Sequence, residues 1–247
     1  MFEVNIIASG SSGNCYIISD GKTKVMIDPG IPGNQIIKKT KHKVTECECC
    51  LVSHEHGDHV RGAGTISRYI PIAATPETLN EIQHKQLIMM SKTLKKNVHN
   101  VFNTLAIVPF EVKHNAIDPV CFHITSLEWL SSLVFVTDSQ YLKYKFPERT
   151  KYMVIECNYD EEILTENVVY GKIKGWLADK IRANHYSVET LIKTLKTNTQ
   201  VEKLWLIHNS TENLDIQSTI EQIQEVYKND IYTYQKEMGN EDTNHKR

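Results

Sequence analysis

A chain of 247 residues is long enough for one large α/β domain with a substantial core. Hydrophobic residues make up 40% and charged residues 23%, an ordinary soluble composition, and no stretch approaches the roughly 18–20 apolar residues of a membrane span. The net charge of −2 excludes a whole-molecule field that would select a polyanionic partner.

The N-terminal residues Met1-Phe2-Glu3-Val4 lack the basic region and apolar core of a secretory signal. Residues 3–8, 15–19 and 24–27 read as short strands separated by Gly/Ser turns. A helix is expected over 34–41, then a buried strand through Cys49-Cys50-Leu51-Val52-Ser53. Helices follow over 61–68 and 77–87, the second opened by Thr75-Pro76 with Glu77 in its first turn. A second set of strands is expected over 105–113, 120–127 and 133–136, with two more at 153–156 and 203–206. Helices lie between these last two, at 173–183 and 188–195. Residues 214–227 form an amphipathic helix with Ile216, Ile220, Ile223 and Tyr227 on one face. Residues 1–236 are thus expected as one domain, with 237–247 a polar, frayed tail. Two runs of strands, each followed by helices, imply two sheets packed face to face with helices outside.

The six cysteines Cys15, Cys47, Cys49, Cys50, Cys121 and Cys157 show no disulfide framework, so a reduced, cytoplasmic protein is expected. Cys47-Glu48-Cys49-Cys50 offers metal-binding thiols, but no second pair sits at zinc-finger spacing, and buried strand cysteines are the simpler reading. The basic runs Lys38–Lys43 and Lys92–Lys96 carry no interleaved aromatics and read as solvated faces rather than a nucleic-acid footprint.

The densest chemistry lies in Ser53-His54-Glu55-His56-Gly57-Asp58-His59, at the end of the buried strand. His54 and His56 are two residues apart, so in extended backbone they point to the same side and can share one ion. Zinc would be held at roughly 2.0–2.1 Å. Asp58 and His59 diverge and suit a second ion beyond a bridging water, with Gly57 letting the backbone turn between the pairs. His114, Asp138 and His208 each follow a later apolar strand, where sites in layered α/β folds gather. Singly each has an ordinary explanation as edge residue, turn former or core histidine; jointly with the cluster they complete two coordination spheres.

In their order, His54-x-His56-x-Asp58-His59, His114, Asp138 and His208 resemble the metallo-β-lactamase superfamily along nearly the whole chain, to about residue 234. The resemblance implies a four-layer αβ/βα sandwich with a dinuclear site at one edge. It implies one ion on His54, His56 and His114, a second on Asp58, His59 and His208, and Asp138 bridging both. In Val25-Met26-Ile27-Asp28-Pro29-Gly30, it makes Asp28 a residue behind the ligands that orients the metal loop, although a turn-forming Asp-Pro-Gly explains the same residues.

Within the superfamily the chain resembles the WalJ/YycJ-type subgroup of bacterial and phage proteins. The shared features are Ala8-Ser9-Gly10-Ser11-Ser12-Gly13-Asn14-Cys15, Glu156-Cys157-Asn158-Tyr159-Asp160, and Asn184-His185-Tyr186-Ser187 followed by His208-Asn209-Ser210. Tyr186 departs from the subgroup's usual His-Leu-Ser, and Ser139-Gln140 from the glycine usual after its aspartate. No β-CASP-sized insertion fits between Asp138 and His185, and the arm that grips tRNA in RNase Z-type enzymes has no obvious counterpart.

This resemblance implies a metal-dependent phosphodiesterase, by preference a DNA exonuclease, in which a hydroxide bridging two divalent ions attacks in line. Zinc is the first candidate on such donors, and manganese or iron also suit them. Asp58 and His185 are the catalytic candidates, with His185 placed to contact the scissile phosphate or protonate the leaving oxygen. His185 also reads as the neighbour of a helix cap, since Ser187 suits a cap for residues 188 onward. Ser11, Ser12, Asn14, His185 and Ser187 are the candidate substrate contacts; the Gly/Ser loop amides suit a phosphate, and a plain hairpin turn explains them as well. DNA is the favoured partner, with no membrane and no legible oligomeric state. The alternatives are a hydrolase of a small ester, lactone, thioester or cyclic nucleotide, and a non-catalytic regulatory protein that keeps the site.

Overall fold

The computed structural model describes residues 1–234 in full and residues 235 and 243–246 by their backbone. In the first half, β1 (Glu3–Ala8), β2 (Cys15–Ser19) and β3 (Lys24–Ile27) form an antiparallel meander. From β3 the sheet continues in parallel through β4 (Cys47–Leu51), β5 (Ile72–Ala74) and β6 (Ser91–Thr93). The helices α1 (Gly33–Lys39), α2 (Gly57–Val60), α3 (Ala63–Ile66) and α4 (Pro76–Lys85) belong to this half.

A second sheet opens with the antiparallel strands β7 (Asn100–Phe102), β8 (Leu105–Glu111), β9 (Val120–Ser126) and β10 (Ser132–Val136). It continues in parallel through β11 (Thr150–Glu156), β12 (Lys203–Ile207) and β13 (Asp230–Gln235), and β14 (Thr243–Lys246) pairs antiparallel with β13. Between these strands lie α5 (Glu161–Val169), α6 (Gly175–Asn184), α7 (Val188–Thr197) and α8 (Ile216–Gln224).

Alternation along the strands builds the layers. Val25 and Ile27 of β3, Cys49 and Leu51 of β4, and Leu133 and Phe135 of β10 meet in a core between the sheets, with Tyr16 and Phe122 among the largest fully buried side chains. The intervening Met26 and Cys50 face α1, α3 and α4, while Val134, Val136, Met153 and Leu206 face α7 and α8. On α7, Val188, Leu191 and Leu195 recur at helical spacing and are buried. At about 1.5–3 kcal/mol per fully buried apolar side chain, that stripe outweighs the marginal intrinsic stability of so short a helix. The result is the four-layer αβ/βα sandwich.

Several expectations needed correction. The helix expected over 61–68 is two short helices, 57–60 and 63–66, so the histidine-rich run itself starts a helix at Gly57 rather than turning tightly there. The helix expected over 214–227 is confined to Ile216–Gln224. Five elements went unread: α5 and the strands β5, β6, β7 and β13, of which Ser91–Thr93 is exposed and has no apolar pattern. Within the tail expected to fray, residues 243–246 pair as a strand, while 236–242 and 247 lie outside the described residues. All six cysteines are free and buried. No described helix is long and apolar enough to cross a membrane.

Pairing direction decides where the site forms. β1 and β3 run parallel to β4, and β8 runs the same way as β10, β11 and β12. In each sheet, therefore, the carboxyl ends of the strands that precede the candidate ligands gather at one edge.

Candidate metal centre

Five histidines and two aspartates converge at that edge. His54 and His56 follow β4, Asp58 and His59 sit on α2, His114 follows β8, Asp138 follows β10 and His208 follows β12. Donor atoms of His54, His56, His114 and Asp138 all lie within 4.8 Å of one another, as do those of Asp58, His59, Asp138 and His208. Asp138 is common to both groups: its Oδ2 is 3.4 Å from His59 Nε2, 3.5 Å from His114 Nε2 and 3.7 Å from His54 Nε2. Asp28, Asp138 and His208 turn their strand ends with φ of +54°, +43° and +52°, left-handed backbone that non-glycine residues adopt at a cost.

Four of the five imidazoles, all but His56, are held from behind. Asp28 accepts from His59 Nδ1–H at 2.8 Å, from the Ser53 amide at 2.8 Å and from Ser53 Oγ–H at 2.8 Å. Ser53 Oγ, its own proton given to Asp28, accepts from His54 Nδ1–H at 3.0 Å. His114 Nδ1–H donates to the Asn184 carbonyl at 3.2 Å, and His208 Nδ1–H to Glu156 Oε1 at 2.7 Å. In all four rings Nδ1–H is therefore engaged outward and Nε2 faces inward, the arrangement that outer partners impose on metal-binding histidines.

Those inward nitrogens meet each other. His56 Nδ1 is 3.1 Å from His54 Nε2 and 3.2 Å from His114 Nε2, and one proton on His56 can satisfy only one of the two contacts. Around a tetrahedral zinc, with bonds of about 2.0–2.1 Å, ligand nitrogens stand roughly 3.3 Å apart. His208 Nε2 is buried without a hydrogen-bond partner, 3.9 Å from Asp58 Oδ2. Close nitrogens lacking a proton and an orphaned buried nitrogen beside carboxylates are what a divalent cation satisfies, so this donor set fits metal.

The buried charges act strongly on one another. Burial alone would raise the Asp58 carboxyl, but contacts from His208 and His59 hold it well below the usual carboxylate range. Asp138, likewise buried, is held down by His208 and His59. Burial opposes protonation of His208, yet Asp138, Asp58 and Glu156 push it up to about 10. Desolvation dominates at His54 and His114 and lowers both.

Glu156 escaped sequence reading as a site residue. It is fully buried at the end of β11 and accepts through Oε1 from both His208 Nδ1–H and His185 Nδ1–H, the latter at 2.6 Å. Its Oε2 accepts from the Ser139 amide at 3.2 Å. Burial would lower His185, but the Glu156 carboxylate outweighs it and raises its pKa. The sequence did carry a signal, an apolar run ending in a carboxylate, as at Asp138. Asn158, whose Nδ2–H donates to the His208 carbonyl at 2.9 Å, was missed too.

The centre opens into a cavity of about 1220 Å³ lined by Ser11, Ser12, His56, Asp58, His114 and His185, among others. Ser11 and Ser12 line this space, and their amides have no hydrogen-bond acceptor among the described residues. Asn14 and Ser187 are not at the cavity wall. Asn14 is fully buried beneath the loop, where its Oδ1 accepts from the Gly10 amide at 3.0 Å and from Tyr16 Oη–H at 2.9 Å. Ser187 caps α7, accepting from the Thr190 amide at 3.1 Å. Gly30 brings the first sheet against α2: a Cβ there would lie 1.7 Å from the Asp58 carbonyl oxygen.

Residues 8–124 match the metallo-beta-lactamase superfamily. The chain is 27% identical over 227 residues to the exodeoxyribonuclease WalJ of Streptococcus pneumoniae, covering 86% of this chain and 83% of WalJ. It is 29% identical over 175 residues to the exodeoxyribonuclease YycJ of Bacillus anthracis, covering 65% and 64%. Among solved structures, the metallo-beta-lactamase fold protein YhfI of Bacillus subtilis superposes with a TM-score of 0.72 at 14% identity, covering 100% of this chain and 99% of YhfI. Unliganded yeast PDE1 superposes with a TM-score of 0.70 at 14% identity, covering 95% and 98%.

Proposed function

We propose that this chain, a metallo-β-lactamase superfamily member resembling WalJ and YycJ, is a metal-dependent phosphodiesterase that degrades DNA from an end with two divalent ions. The observation that carries the proposal is the set of inward-facing imidazole nitrogens around Asp138, at the floor of a cavity wider than most small-molecule pockets. Both relatives are named exodeoxyribonucleases, which favours a polynucleotide end over a small ester. Ions held there would lower the pKa of a water toward ~7 to make the nucleophile and would neutralise charge developing on the phosphoryl oxygens.

The protein's own groups divide the remaining work. His54, His56 and His114 form one binding position, Asp58, His59 and His208 the other, and Asp138 stands between. Asp28, Ser53, the Asn184 carbonyl and Glu156 fix the rings so that no reorganisation is needed when substrate arrives. Ser11 and Ser12 line the cavity, and their uncommitted amides can donate to a non-bridging phosphate oxygen. His185, its Nδ1–H on Glu156, keeps its other nitrogen for the cavity and is the group placed to protonate the departing oxygen.

The test is to offer the metal-loaded protein end-labelled linear DNA, closed circular DNA, RNA, a chromogenic phosphodiester and a lactone, with Asp58→Ala in parallel. Shortening of linear DNA by the wild type alone, with circular DNA spared, is expected. Hydrolysis of the lactone with every phosphodiester intact would instead assign a small-ester hydrolase.

A further inference from the structure

The turn joining α5 to α6 displays exposed aromatics among unpaired cations. Tyr170 and Trp176, six residues apart, are 74% and 65% exposed. Between and beyond them lie Lys172, Lys174 and Lys180, all exposed and none ion-paired among the described residues. From Glu166 to Arg182 there are four basic and two acidic residues, on a chain whose net charge is −2. Of the two acids, Asp179 is already bound by Arg182, at 3.3 Å. The basic runs at Lys38–Lys43 and Lys92–Lys96 have no such aromatics.

This segment is held in place. Gly171 turns the chain at φ +69°, where its amide donates to the Val168 carbonyl at 3.0 Å, and the Ile173 amide donates to the Asn167 carbonyl at 3.1 Å. Val168, Ile173 and Ile181 pack on a separate small core of Tyr159, Leu164 and Ala178. The exposed aromatics are therefore displayed from a packed hairpin. Ile173, Leu177, Lys180 and Ile181 of the same hairpin line the cavity that holds the metal centre, so the aromatic and basic surface runs into it.

On the phosphodiesterase reading above, we propose that this hairpin binds the single-stranded end of DNA: unpaired bases stack on Tyr170 and Trp176, and Lys172, Lys174 and Lys180 carry the phosphates toward the metal centre. Aromatic rings with interleaved cations are the common means of holding unpaired nucleotides without regard to sequence. A surface built only for an apolar partner would not need three free lysines among its aromatics.

The test measures binding of a fluorescent, phosphorothioate-linked oligothymidylate, which resists cleavage, to the full-length metal-loaded protein. Stacking on one aromatic is worth roughly 5- to 150-fold in affinity, so Tyr170→Ala with Trp176→Ala weakens binding at least about tenfold. Tyr170→Phe with Trp176→Phe keeps a stacking face and stays within about threefold. Replacing the three lysines by Gln lowers the slope of log affinity against log salt by about 2. Wild-type affinity in the double alanine variant overturns the proposal. So does a change in sedimentation of that variant with DNA binding intact, which makes the surface a contact between copies of the chain. Degradation of DNA with wild-type binding by the alanine variant keeps the nuclease and removes this surface. Loss of binding in that variant by a protein that cuts no phosphodiester keeps the surface and removes the nuclease.

Discussion

Replacing Asp28 by Asn changes no shape but reverses a chain of hydrogen bonds. The Asn Oδ1 can still accept from the Ser53 amide, as Asp28 Oδ1 does at 2.8 Å. The Asn Nδ2 then faces His59 Nδ1 and Ser53 Oγ, both 2.8 Å from the oxygen it replaces, and can only donate. His59 must move its proton to Nε2. Ser53, no longer able to give its hydroxyl proton to residue 28, turns it toward His54 Nδ1 at 3.0 Å, which pushes the His54 proton to Nε2 as well. One substitution thus caps two inward lone pairs, one in each proposed binding position. The original tautomers, which metal binding needs, then lack the hydrogen bonds to a charged carboxylate that the wild type keeps, worth about 1.5–3 kcal/mol. At 1.4 kcal/mol per tenfold, this predicts a loss of roughly 10- to 100-fold in affinity for each ion. Competition with a chromophoric chelator reads the affinities, and circular dichroism checks that the fold persists. Wild-type affinity for both ions in the folded variant would refute the tautomer argument.

Gly30→Ala places a Cβ 1.7 Å from the Asp58 carbonyl oxygen and 2.6 Å from the Asn14 amide, both backbone, so the strand end must retreat from α2. We expect a cost of about 1–3 kcal/mol and a Tm lowered by roughly 2–12 °C, together with weaker metal binding; an unchanged Tm contradicts the contact. His123, on β9, is pushed down to about 4 by burial first, then by Arg149 and His99, from its ordinary value of 6.5. The unfolded chain therefore binds a proton that the folded state refuses. His123 contributes its full stability above about 6.5 and loses it as pH falls toward 4, about 2 kcal/mol by pH 5. Urea unfolding at pH 7.5 and 5.0 should show a smaller acid loss in His123→Gln, and equal losses would show that His123 is not the group involved. His185→Gln should lower kcat on DNA by about 10²–10⁴ with metal content unchanged. Full activity in that variant would remove His185 from the chemistry.

Much of the architecture was legible because the buried strands are short apolar runs, and Val25-Met26-Ile27 and Leu133-Val134-Phe135-Val136 each end at a residue of the centre. β6 was illegible because pairing with β5, not its own pattern, makes it a strand. α5 lacks a strong apolar stripe, although Asp160 before Glu161 and Glu162 is a readable cap, and its Oδ1 accepts from the Glu162 amide at 2.8 Å. At the site, residues set by spacing along one strand end were visible, while those set by tertiary approach were not. Glu156 matters only because β11 lies beside β12 and brings its carboxylate under His208. Asn14 and Ser187 had suitable chemistry for a substrate, but burial and capping use it internally. Nor does sequence spacing convey the left-handed backbone at Asp28, Asp138 and His208 that aims three strand ends inward.

Titrating metal-free protein with zinc or manganese while following release of end label from linear DNA tests the two-ion phosphodiesterase most directly. Activity should rise to its maximum as the second equivalent binds and vanish on chelation. Full activity at one equivalent, or an intact strand with two bound, would contradict it.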